Sequence, residues 1–84
     1  MVYNDEIDAK KATSLVRNYL IENYGALAEY TFRLLSVQKN THDNVWIVKC
    51  QVLTNPSDKN PTEYNIKVNI QTGEFIDINS HPIQ

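Results

Sequence analysis

Between Asp5 and Tyr24 the apolar residues Ala9, Ala12, Leu15, Val16, Tyr19, Leu20 and Tyr24 recur at intervals of three and four. That spacing lines one stripe of an α-helix, so a helix is predicted over about 5–24 with this stripe toward the core. Asn4 or Asp5 would cap its first amides, with Asp5, Glu6 and Asp8 placing negative charge at the positive end of the helix dipole. Gly25 is its natural stop, and Ala26 to Glu29 leaves room for one short extra turn. Beyond it the period falls to two. The clearest case is Thr62 to Gln71, where Tyr64, Ile66, Val68 and Ile70 alternate with Glu63, Asn65, Lys67, Asn69 and Gln71, a strand dry on one side and wet on the other.

Three further strands are predicted, at about 31–38, 45–54 and 75–79. In the second, Trp46, Val48, Cys50 and Val52 share a face, opposite Val45, Ile47, Lys49, Gln51 and Leu53. The first is ambiguous, because Phe32 and Leu34 fall on one face and Leu35 and Val37 on the other. In the last, Ile76 and Ile78 share the inward face, and Ser80 to Gln84 is read as a frayed tail. The links are turn formers: Lys39 to Asn44, the proline-bearing loop Asn55 to Pro61, and Gln71-Thr-Gly-Glu74, in which Gly73 can take positive φ. None is long enough for a parallel crossover. The expectation is one α+β domain over residues 1–84, a single N-terminal helix packed on a four-stranded antiparallel meander.

At 84 residues one core is expected. Eight basic against ten acidic side chains give a net charge of −2, which offers no basic footprint for a phosphate backbone, so nucleic acid is not an expected partner. No apolar run reaches the length of a membrane span, and the first residues do not read as an export signal. With Cys50 as the single cysteine, no internal disulfide forms, and a cytoplasmic location is the expectation.

Candidate chemistry is sparse. Cys50 with His42 or His81 is the one conceivable thiol and imidazole pair, but Cys50 lies among Trp46, Val48 and Val52 and reads as a buried small hydrophobe. The histidines have no clustered partners for a metal site. The two glycines, Gly25 and Gly73, build no phosphate loop. No catalytic residue, cofactor or metal is assigned. Because one helix covers one side of a sheet, the other face draws attention: Val45, Ile47, Lys49 and Leu53, joined by Leu35, Val37 or Phe75, are the candidate interaction surface, for a protein partner or a second copy of the chain. The alternative is a small-ligand or weakly enzymatic site between helix and sheet, around Tyr24 and Trp46 with Tyr19, Tyr30, Tyr64 and Phe75.

The helix with Ala9, Ala12 and Leu20, the strand Val45 to Val52, and the segment Tyr64 to Asp77 with its Thr72-Gly73-Glu74 turn together resemble PepSY-like and cystatin-like domains. That resemblance implies a helix laid across an antiparallel meander and a regulatory or inhibitory binding role. The stretch nearest the cystatin Gln-x-Val-x-Gly hairpin, Val37 to Thr41, lacks both its valine and its glycine, so no protease-binding residue is carried over. A double-stranded RNA-binding domain starts in a similar way but closes with a basic helix, where this chain has a strand and a proline-containing tail.

Overall fold

The computed structural model describes residues 6–82. The chain runs α1 (Ala9–Tyr24), α2 (Ala26–Thr31), β1 (Arg33–Asn40), β2 (Val45–Val52), β3 (Thr62–Asn69) and β4 (Phe75–Pro82). The strands form one antiparallel sheet in the order β1-β2-β3-β4, a meander with the helical layer on one side. The predicted α+β architecture is the observed one, with α2 as an added short element.

Helix α1 begins later than its pattern suggests. Asp8 is the cap, its Oδ1 accepting the Lys11 amide at 2.7 Å, while the Asn4 and Asp5 alternatives lie outside the described residues. Ile7 does not join the helix because its backbone is engaged elsewhere. Its N–H donates to the Ile70 carbonyl at 2.8 Å and its carbonyl accepts Trp46 Nε1–H at 2.9 Å. These two bonds fasten the lead-in to the end of β3 and to β2, which sets where the helix enters. At the far end Gly25, with φ of 67°, donates its amide to the Ile21 carbonyl and closes α1. Its own carbonyl then accepts the Ala28 and Glu29 amides of α2, so the glycine is the joint between the helices.

Because α2 extends to Thr31, β1 starts at Arg33, two residues beyond the predicted start. Thr31 ties α2 to the sheet: its Oγ1 donates to the Leu27 carbonyl at 2.6 Å and accepts the Leu53 amide at 3.0 Å. A bulge between Leu34 and Ser36 resolves the ambiguous strand. Beyond it Val37 lies opposite Val48 and packs against the core, so it is not part of the outer face. Between β3 and β4 the connection is a five-residue loop, Ile70 to Glu74, one residue longer than the Gln71-Thr-Gly-Glu74 link that the pattern predicts. The Asn69 side chain organises it, Oδ1 accepting the amides of Gln71 (2.8 Å) and Thr72 (2.9 Å), and Gly73 takes φ of 78° as the pattern predicts. Strand β4 continues through Ser80 and His81 to Pro82, in register with Tyr64, Glu63 and Thr62. The segment through Pro82 is therefore strand rather than tail, and the rest of the predicted tail lies outside the described residues.

The core lies between α1 and the centre of the sheet. Ala12, Val16 and Leu20 from α1 and Ala28 from α2 meet Val48, Cys50 and Val52 of β2 and Tyr64, Ile66 and Val68 of β3. Tyr19 adds an edge-to-face contact with Phe75, ring centroids 5.2 Å apart, and so touches the start of β4.

Candidate interaction surface

The thiol and imidazole candidates are separated by the sheet itself. Cys50 is fully buried on the helix side, opposite Tyr64 and Leu34. His81 is on the outer side, opposite Glu63, with Nε2 3.5 Å from Glu63 Oε2, and His42 sits in the turn between β1 and β2. Burial, with a lesser contribution from the Glu63 charge, pushes the Cys50 thiol up to about 12, so it is a thiol and not a thiolate at neutral pH. Among the described residues no group of three His, Cys, Asp or Glu side chains could hold a metal ion.

The helix–sheet interface satisfies its own polar groups. Tyr24 and Tyr64 share a hydroxyl hydrogen bond of 2.7 Å, and burial followed by that bond raises the Tyr64 phenol above its ordinary range. Trp46 Nε1–H is committed to Ile7. Among the described residues no buried side-chain nitrogen or oxygen lacks a partner. Of the remaining rings proposed for a ligand site, Tyr30 is exposed, and Tyr19 and Phe75 pack on the core.

The outer face mixes apolar positions with the polar side chains of Lys49, Gln51, Asn65, Lys67 and Asn69. Ile47 sits between Gln38 and Lys67, Lys49 between Ser36 and Asn65, and Gln51 between Arg33 and Glu63. Of the predicted surface residues, Val45 is buried at 3 % exposure beside Asn40 and Asn69, Ile47 and Leu53 are half-buried, and Lys49 is exposed. Phe75, opposite Val68, belongs to the helix side and not to this face.

Exposed apolar surface is found on the outer strands instead. Leu34 (41 %) and Leu35 (42 %) lie on β1, and Ile76 (57 %) and Ile78 (40 %) on β4. Ile78 is directly opposite the fully buried Ile66 and shares its face, while Ile76 lies at a bulge where Val68 pairs with Phe75 and Lys67 with Asp77. Sequence reasoning placed Ile76 and Ile78 inward on their two-residue spacing and missed their exposure. The missing consideration was width. Four strands about 4.8 Å apart make a sheet some 15–19 Å across, and a helix with its side chains is only about 10–12 Å wide. Because α1 and α2 lie toward β1 and β2, Ile76 and Ile78 on β4 are left largely uncovered.

Comparison of the chain with protein-family models, curated protein sequences and solved structures returns no match. Among the described residues no helix is long and apolar enough to cross a membrane. Function is therefore read from the geometry of an α+β domain with an apolar core and, among the described residues, two outer strands that carry exposed apolar side chains.

Proposed function

We propose that this chain is a non-catalytic interaction domain that binds protein through its sheet. The observation that supports this reading is the concentration of exposed large apolar side chains on β1 and β4, which among the described residues have a strand neighbour on one side only. An edge strand presents alternate unpaired N–H and C=O groups that an added strand can satisfy, while side chains beside it supply specificity. The outer-face residues Ile47, Lys49 and Leu53 flank the same sheet and extend the surface available to a partner, whereas buried Val45 does not. Regulatory binding is also what the PepSY-like resemblance implies.

Selection from a displayed random-peptide library tests this directly. Recovered peptides should shift the backbone amide resonances of β1 or β4 in the full chain. Recovery of no binders, or of binders that shift only residues at the α1–sheet interface, would overturn the reading.

A further inference from the structure

The two sheet edges differ in what they can accept. The ionisable side chains of β1 are Arg33 and Lys39, both cationic, and its ladder to β2 is broken by the bulge after Leu34. Lys39 is also committed, 3.3 Å from Glu6 Oε1 and 5.8 Å from the Trp46 ring centroid. Strand β4 carries one acid, Asp77, and one imidazole, His81, four residues apart on the outer face. From Asp77 to Pro82 its register with β3 is unbroken. This stretch is a regular edge that carries a hydrogen-bond acceptor, the Asp77 carboxylate, and an imidazole that can donate to one.

We infer that β4 is a self-pairing edge, which joins two copies of the chain into one continuous antiparallel sheet about a two-fold axis through Asn79. The inference rests on the interaction-domain reading above and names the partner as a second copy. A two-fold axis perpendicular to the sheet keeps the helical layers of both copies on the same side and pairs residues of like pleat. With the axis at Asn79, Asp77 stands opposite His81 of the second copy, and the symmetry makes this pair twice. On the helix side Ile78 stands opposite Ser80 and Ile76 opposite Pro82 of the second copy. The two Ile78 side chains become diagonal neighbours, about 7–8 Å apart between backbones and within reach of each other. The apolar surface that α1 leaves open on β4 is then gathered around the axis.

Neighbouring registers lose this match. An axis at Asp77 sets two carboxylates face to face, a destabilising arrangement. An axis at Ile78 puts Asp77 opposite Asn79 and Phe75 opposite His81, and an axis at Ser80 puts His81 opposite Asn79. Pairing β4 with β1 of another copy is a head-to-tail contact and would give rings or open chains rather than a two-fold dimer.

The side chains that meet across the seam are of matching kind. His81 faces Glu63 on β3, lies on the same side of its own strand as Asp77 and Asn79, and in the dimer meets Asp77 of the second copy. Asp77 in turn faces Lys67 on β3. A carboxylate accepts and an imidazole N–H donates, so each symmetry-related pair can share a hydrogen bond across the seam.

Sedimentation equilibrium of the full chain over a concentration series reads this out. The expected result is a closed monomer–dimer equilibrium. Asp77→Ala and His81→Ala should each raise its dissociation constant about three- to tenfold, in line with the loss of two symmetry-related surface pairs. Ile78→Lys should dissociate the dimer, and each variant should keep its circular dichroism spectrum because these side chains are exposed. A strict monomer at every concentration, open-ended oligomers, or a dimer indifferent to all three substitutions would overturn the inference. If the monomer nonetheless binds library peptides along β1 or β4, the dimer is refuted and the interaction-domain reading stands.

Discussion

Strands β3 and β4 lie side by side, and both alternate apolar with polar residues, yet they end in opposite circumstances. On β3, Tyr64, Ile66 and Val68 are buried, whereas on β4, Ile76 and Ile78 keep about half their surface in water. The difference does not come from the residues, since Ile66 and Ile78 are the same side chain directly opposite each other. It comes from position under a helical layer narrower than the sheet. The same alternation therefore builds a core where the helix covers it and an exposed adhesive strip one strand further out.

The largest test of this contrast substitutes the two facing isoleucines. Ile66→Ala should cost about 2–5 kcal/mol in urea unfolding, because it removes buried surface and leaves a cavity among Val48, Val68 and α1. Ile78→Ala should cost about 1 kcal/mol, as expected for a side chain that keeps 40 % of its surface exposed. Equal losses at the two positions would mean that β4 is covered after all.

Raising the pH should strike the centre selectively. The Cys50 thiol is raised from 9.0 to about 12 in the folded chain, and the Tyr64 phenol is raised from 10.0. For groups raised on folding, the unfolded chain loses protons first, so the stability linked to them is whole below about pH 9 and declines as pH climbs toward the folded values. The decline should reach at most about 1.4 kcal/mol per pH unit for each proton involved. Cys50→Ala should remove its earliest part, visible in unfolding curves taken between about pH 8.5 and 11. At neutral pH the same thiol should react with alkylating reagents only as fast as the fold opens.

Smaller effects are expected at the joints that position the two strands. Gly73→Ala should cost about 1–2 kcal/mol for the positive φ alone. A Cβ there would also stand 3.2 Å from Leu15 Cδ1, pressing the loop against the helix. Asp8→Ala, which leaves the Lys11 amide without its acceptor, should cost about 1 kcal/mol in thermal or urea unfolding.

The centre was legible from sequence because its signals agree: the α1 stripe, the alternation from Tyr64 to Ile70, and Gly73 at a positive-φ turn. What escaped has physical causes. Leu34 and Leu35 defeat a two-residue period because a bulge follows Leu34 and resets the face for Val37. The helix start at Ala9 is set by Ile7 bonding to Ile70 and Trp46, residues distant in sequence. Asn79, Ser80, His81 and Pro82 have no strand propensity, and they are held extended by the β3 ladder. The outer face reads as a mixture of apolar and polar positions, and the register adds which of them meet: Ile47 lies between Gln38 and Lys67. Exposure of β4 could have been foreseen from the widths of one helix and four strands.

Residue-resolved amide exchange on the full chain, at two concentrations that straddle the association, tests the central claim most directly. It is predicted that β2 and β3 are protected equally at both concentrations. Alternate amides of β4 between Asp77 and His81 should exchange fast when dilute and slowly when concentrated, with no such gain along β1. Exchange along β4 that ignores concentration, or protection gained along β1 instead, would contradict it.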